Sequence, residues 1–377
     1  MNKELNFKKV SHELFSCIGE ILSGKDITAP ESDALHVFSL AAKNGVSQIL
    51  SFSDEFMSLL PDDARAAAEK KKLRRIKRAL SQDYEYSVLK EKLCESGIDF
   101  LPMKGIVIRE LYPVREMRSS NDIDIYYDKT KRDKVRTIMS ELGYEMYHSD
   151  ANHDEYLKGE INIEMHHNLC MQIDIIDKYY SDLWQRLEKY DGHEHRFSVS
   201  DEYIYAVFHA MKHFKFGGID ARPILDMYIL EKTGRLDFGY IEKELEKIEL
   251  VKFGASMREL ASAWMEGREL TDEQSLLCEF ILLGGYGDVT ALVQGAGEGS
   301  SKARYLVKRV FPSFRYMKEK YPSLEKVPYA LPFYYVKRIF DFSLHESDRA
   351  AKEKSILTKD NKDKQKKLRE IFDITGL

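Results

Sequence analysis

The residues whose types and spacing could do chemistry gather between Leu101 and Asp128, in LPMKGIVIRELYPVREMRSSNDIDIYYD. Asp122 and Asp124 alternate there with Ile123, Ile125 and Tyr127. That is the period-2 pattern of a half-buried strand, so both carboxylates project to one face and the isoleucines to the other. Like charges held that close raise each other's pKa unless a cation lies between them. A hard, oxygen-preferring ion such as Mg²⁺, or Mn²⁺ in its place, answers the repulsion and keeps positions open for water and phosphate. Alone, Asp-x-Asp is more often an exposed edge strand with two solvated aspartates. Its neighbours weigh against that here. INIEMHHNLC (161–170) alternates in the same way and sets Asn162, Glu164 and His166 on one side, which offers a third carboxylate for a two-metal phosphoryl-transfer centre. His166, on the Glu164 face, is a candidate for proton transfer or for orienting a metal-bound water. His167 points the other way and reads as structural. Lys104-Gly105 stands between a strand-like and a helix-like run, where a glycine lets backbone N–H groups approach a phosphate at a helix N-terminus. Arg118 offers a planar fork for phosphate oxygens, and Ser119 and Ser120 join Lys104, Gly105 and Arg118 as phosphate-binding candidates.

The elements that must position these residues read as follows. Residues 98–103 form a strand, 106–111 a helix, 123–127 a strand and 131–142 a helix. Strands then follow at 144–148, 154–157 and 160–166, with Lys158-Gly159-Glu160 as a hairpin turn. Strands and helices in this irregular order predict an α+β fold: a small mixed sheet with helices on one face. Residues 1–95 read as a helical region, including one long helix from about Asp62 to Glu95. Its run of Lys70, Lys71, Lys72, Arg74, Arg75, Lys77 and Arg78 is either a solvated face or a contact to the phosphate of a substrate or an acidic partner. Residues 96–200 are the α/β core, 201–350 a helical C-terminal region, and 351–377 a charged tail. The helix at 201–218 puts His209 and His213 at i, i+4 on one face. The pair has transition-metal spacing without a third strong ligand nearby; a buried pair held by hydrogen bonds is the alternative. Two further stretches carry plainer expectations. The glycine-rich GAGEGSS (295–301) lacks a following Gly-Lys-Ser/Thr and reads as a flexible connection, and the aromatic run at 329–342 reads as core packing, with membrane-surface docking the alternative.

Taken in order, Lys104-Gly105, Leu111-Tyr112-Pro113, Arg118, Asp122-Ile123-Asp124-Ile125 and Ile163-Glu164-Met165-His166 resemble the uncharacterised bacterial nucleotidyltransferase-like proteins of the DNA polymerase β superfamily. The superfamily's minimal pattern is a Gly-Ser turn, Asp-x-Asp at a short interval, and a third acid on a later strand. This chain has Ile106 where that serine would stand, a longer interval to Asp122, and Glu164 where aspartate is more typical. The resemblance implies a nucleotidyltransferase core and a metal set of Asp122, Asp124 and Glu164. It also implies a His-rich helix closing over the nucleotide or the acceptor, with His213 and Arg222 near the phosphates.

Composition bounds the rest. With 377 residues, 43% apolar and 32% charged, the chain has the make-up of an ordinary globular protein. A net charge of −5 argues against a dedicated nucleic-acid binder without excluding a local basic patch. Cys17, Cys94, Cys170 and Cys278 show no metal-ligand spacing and read as reduced thiols of a cytoplasmic protein. No leader is evident at the N-terminus, and no apolar run reaches bilayer length. The expectation is a Mg²⁺-dependent transferase that moves a nucleoside monophosphate from an NTP to a hydroxyl of a small molecule or protein, a polynucleotide being disfavoured. Toxin-like nucleotidylation of a protein or tRNA, or a non-catalytic binding module on the same fold, are the alternatives.

Overall fold

In the computed structural model the described residues are 3–150, 152–169, 173–216, 219–284, 311–312, 314, 317–318, 321–345 and 362–377. Cys170, the Gly-Gly expected to stop the helix at 217–218, and the glycine-rich 295–301 lie outside them, as does part of the tail.

Among the described residues seven strands are formed: β1 (Phe100–Met103), β2 (Ile123–Tyr127), β3 (Glu145–Ser149), β4 (His153–Lys158), β5 (Ile161–His166), β6 (Leu187–Asp191) and β7 (Glu194–Phe197). They pair in the order β3-β4-β5-β2-β1-β7-β6. β2 sits centrally, antiparallel to β1 and parallel to β5. The α+β expectation holds: one mixed sheet, with helices before and after it. The sheet is larger than the sequence reading allowed, because β6 and β7 had not been expected. Their side chains, LEKYD and EHRF, are largely polar, so hydrophobic alternation gives no signal. The hairpin turns at Gly192-His193, between the paired Asp191 and Glu194, with Gly192 at φ 58°, and a glycine at the first loop position is a turn signal that pattern alone could have flagged.

The helices before the sheet are α1 (Lys3–Leu22), α2 (Ala34–Lys43), α3 (Ser47–Leu50), α4 (Asp54–Ser58) and α5 (Asp62–Glu95). α2 starts after Asp33, whose side chain accepts a hydrogen bond from the Leu35 N–H at 2.9 Å. α5 starts after Pro61 with two aspartates in its first turn, which suits the helix dipole. Within the core lie α6 (Gly105–Ile108), running on into a 3₁₀ turn at Arg109–Leu111, then α7 (Arg132–Glu141) and α8 (Asp174–Tyr179). After it come α9 (Val199–Phe216), α10 (Arg222–Lys232), α11 (Phe238–Lys247), α12 (Val251–Met265), α13 (Asp272–Gly284), α14 (Leu331–His345) and α15 (Lys362–Thr375).

The alternation in β2 and β5 decides which helices cover which face. Ile123, Ile125, Ile163 and Met165 are buried against Val135, Ile138 and Met139 of α7 and against Leu89 and Leu93 of α5. Each such side chain removed from water contributes roughly 1.5–3 kcal/mol. Asp124, Glu164 and His166 therefore turn to the other face, where α9 crosses. A second, larger core joins α9 to both ends of the chain, and in it Phe15 of α1 stacks on Trp264 of α12 at 3.8 Å between ring centroids. The aromatic run at 329–342, read as core packing, is different in the structure: Tyr329, Phe333 and Val336 are exposed. Leu331 starts α14, and the helix turns Phe333 and Val336, three residues apart, outward together. Among the described residues no helix is long and apolar enough to cross a membrane. Cys17 and Cys278 are buried and Cys94 half-buried, all three as free thiols.

Candidate active site

Strand pairing builds the site. In the parallel β2/β5 ladder Asp124 stands directly opposite Glu164 and Tyr126 opposite His166, so the two acids and the imidazole project from adjacent strands to one face. Asp124, Glu164 and His166 each place a ligand atom within 4.8 Å of the other two. His166 Nε2 lies 2.9 Å from Asp124 Oδ1 and 3.2 Å from Glu164 Oε2. β1 ends beside them, with Met103 opposite Asp124. The next residue, Lys104, takes φ 56° and ψ −126°, a left-handed conformation that costs a side-chain-bearing residue about 1–3 kcal/mol. From that turn Lys104 reaches across to the neighbouring strand β2, and its Nζ donates to Asp124 Oδ1 at 2.6 Å.

Gly105 follows as the first residue of α6. A Cβ there would lie 2.5 Å from Ser120 Oγ and 3.1 Å from Arg118 Nη1, so only glycine lets that segment pack. Ser120 Oγ in turn donates to Asp122, 2.9 Å from its carbonyl and 3.1 Å from Oδ1. Asp122 precedes the strand and lines the same cavity, but it is not one of the three clustered ligands. Arg118 grips Asp226 through two hydrogen bonds, Nε at 3.2 Å and Nη2 at 2.8 Å. Tyr112 donates to the same carboxylate at 2.8 Å.

The opposite wall comes from α9 and the start of α10. Ser198 begins α9, accepting from the Asp201 N–H at 3.1 Å. Tyr205, His209 and His213 then fall on one face, with His213 Nε2 3.1 Å from His209 Nε2, and Lys212 lies beside them. Arg222 donates to Asp220 Oδ2 at 2.7 Å. Together these residues enclose a cavity of about 290 Å³, acidic on its sheet side and basic on its helix side.

The charges respond to this enclosure. Burial works to raise the Asp124 pKa, but Lys104 and His166 outweigh it and hold the carboxyl well below its ordinary range. Asp122, pushed up by burial and by the Asp124 charge, stands at about 6. Burial also opposes ionisation of Glu164, and there the His166 hydrogen bond and Lys104 prevail, leaving it below the usual value. On the helix side burial, reinforced by Lys104, brings Lys212 down to about 8. Burial likewise holds His209 well below the ordinary histidine value and brings His213 to about 4. The donor set of two carboxylates and an imidazole fits a divalent cation. The carboxylates suit Mg²⁺ or Mn²⁺, and the imidazole shifts preference toward later transition ions.

A family model described as an uncharacterised nucleotidyltransferase matches residues 30–266. The chain belongs to that family. It is thus a transferase in class, and the match spans α5, the whole sheet and α9 to α12. No curated protein and no solved structure matches the chain.

The residues singled out in this nucleotidyltransferase's sequence mostly converge. Lys104, Gly105, Arg118, Ser120, Asp122, Asp124, Glu164, His213 and Arg222 all line the one cavity, and His166 bridges two of its acids. Ser119 does not; it lines the adjoining groove, and its carbonyl accepts from Arg118. The guanidinium of Arg118, read as a fork for phosphate, is occupied by Asp226. His167 is buried on the other face, its ring edge-on to Tyr127 at 6.1 Å. Sequence reasoning missed Tyr205, Lys212 and Asp220. Tyr205 shares the i, i+4 spacing of His209 and His213, a signal that was available; Lys212 and Asp220 carry none.

Proposed function

We propose that this chain transfers a nucleoside monophosphate from an NTP to an acceptor hydroxyl, on a core of the DNA polymerase β superfamily type. The acceptor oxygen forms a bond to the α-phosphorus, the α–β phosphoanhydride breaks, and pyrophosphate leaves. Asp124 and Glu164 would hold a divalent cation, Mg²⁺ or Mn²⁺, with Asp122 or His166 beside them; when bound it would neutralise phosphate charge and ease deprotonation of the attacking hydroxyl. The chain's own groups do the rest. Gly105, whose missing side chain admits Ser120 and Arg118 at the start of α6, would turn its backbone N–H toward the phosphates. Lys104 and Lys212, on facing walls, supply positive charge to the triphosphate. Glu164 takes the acceptor proton, and His166 Nε2, 3.2 Å away, orients that carboxylate as a hydrogen-bond donor.

The observation that carries this reading is the register of β2 on β5, which sets Asp124 opposite Glu164 in a cavity. The test is pyrophosphate release from each of the four NTPs with Mg²⁺ or Mn²⁺, against a panel of small-molecule acceptors. Glu164→Gln is the cleaner variant, since Asp124→Asn would strand the Lys104 charge and cost about 3–5 kcal/mol in stability. Glu164→Gln is expected to lower turnover on the order of 10²–10³-fold with an unchanged melting curve. Turnover at the wild-type rate in that variant would overturn the assignment.

A further inference from the structure

The basic run of α5 does not simply face bulk water. Lys71, Arg74, Arg75 and Arg78 line a groove of about 390 Å³, completed by Lys43 from the end of α2. The groove is continuous with the active-site cavity, sharing Ser120, Asn121, Asp220 and Arg222 with it. Gly45, at φ 72°, makes the junction: a Cβ there would lie 2.6 Å from Arg222 Nε, so the missing side chain lets Arg222 lie across between the two spaces.

Positive charge is in excess in the groove. Among the described residues Lys43, Lys71, Arg74, Arg75 and Arg78 form no ion pair with a carboxylate. Arg75 contacts only neutral acceptors, Ser47 Oγ at 3.5 Å and Gln48 Oε1 at 3.3 Å. Arg78 donates one N–H to the Asn121 carbonyl at 2.7 Å, while its Nε is buried without a partner. Glu116 and Glu160 also line the groove, leaving positive charge in excess. Burial, together with the neighbouring Arg222, lowers the Arg75 pKa. Burial and then Arg75 and Arg74 do the same for Lys71. Cations that destabilise one another in this way gain most from an anion placed among them.

From Lys71 to Arg78 the row runs about 10 Å along the helix, with i, i+4 partners about 6 Å apart. That suits a ligand bearing more than one phosphate better than a single carboxylate. Among the described residues no aromatic ring lines the groove, so they offer nothing on which nucleobases would stack, which favours a phosphorylated small molecule over a nucleic-acid strand. Lys104 and Gly105 line the cavity and not the groove. Resting on the nucleotidyl-transfer reading, which seats the NTP tail at those two residues, we infer that the α5 groove is a separate subsite for the phosphate groups of the acceptor.

Inorganic tripolyphosphate is the probe, titrated calorimetrically into the full chain at low ionic strength. The double variant Lys71→Gln/Arg74→Gln removes two exposed cations from a helix that glutamine suits well, so folding is preserved. Wild-type protein should bind the probe, more weakly as salt rises, and the double variant about tenfold or more weaker. Binding should persist after the cavity is filled with a non-hydrolysable NTP analogue and Mg²⁺. No binding by the wild type, equal binding by the double variant, or displacement by the nucleotide analogue would each overturn the inference. The two readings fail separately: groove-dependent tripolyphosphate binding in a chain that takes up no nucleotide would leave the phosphate site standing and remove the transfer reaction.

Discussion

At the scale of single residues, Lys212 links the site's electrostatics to a measurement. Burial, reinforced by Lys104, holds it at about 8, so it carries its charge below that pH and loses it above. An anionic triphosphate binds the charged form, so that part of the affinity is present at neutral pH and falls as pH climbs through about 8. Lys212→Arg keeps the cation protonated throughout. Dissociation constants of a non-hydrolysable NTP analogue, measured from about pH 6.5 to 9.5, should weaken above about pH 8 in the wild type and stay flat there in the variant. Parallel curves would remove Lys212 from the phosphate-binding wall. Asp124 is the contrasting case. Fixed between Lys104 and His166, it stays ionised in the neutral range, as the proposed cation-holding role requires.

At the scale of elements, α9 carries the helix side of the cavity and a buried acid as well. Glu202 in its first turn is pushed up to about 8 by burial, with Arg196 opposing and Asp226 and Asp201 adding; its Oε1 has no hydrogen-bond partner. The folded-state pKa lies above the unfolded value of 4.5, so the native state keeps the proton when the unfolded chain has lost it. The Glu202 contribution to stability is therefore fully present below about 4.5 and is lost as pH rises toward about 8. Glu202→Gln should match the wild type near pH 4 and exceed it by a few kcal/mol above about pH 8, read from urea midpoints. Equal midpoints at both pH values would show that Glu202 is not buried as a neutral acid. The elements also differ in how openly the sequence announces them. β2 and α5 occupy the expected spans, because isoleucine alternation and a Pro-Asp-Asp start are strong local signals. β6 and β7 do not, since their polar side chains pair at the sheet's edge for reasons of backbone hydrogen bonding.

At the scale of the molecule, both ends of the chain join one core, which holds Phe15 of α1, stacked at 3° on Trp264 of α12, together with Ile371 and Phe372 of α15. The Phe15 and Trp264 rings are nearly fully buried. Phe15→Ala should cost about 3–5 kcal/mol, seen as a lower urea midpoint with an unchanged m-value; a change below about 1 kcal/mol would mean that the N-terminal helix contributes little to global stability. The sequence by itself determined the local matters: which face of β2 and β5 is apolar, which carboxylates share a face, where α5 begins, and that Lys104-Gly105 marks a turn. Side-chain period and turn chemistry are properties of neighbouring residues, so they can be read from neighbours alone. Only the tertiary structure decided that β5 lies parallel to β2 in the register that sets Glu164 against Asp124. It alone decided that Arg118 is taken by Asp226, 108 residues away, and that the basic face of α5 lines a groove beside the active-site cavity. Each of those depends on the packing of segments far apart in the chain, where burial, through desolvation and enforced proximity, selects the partner.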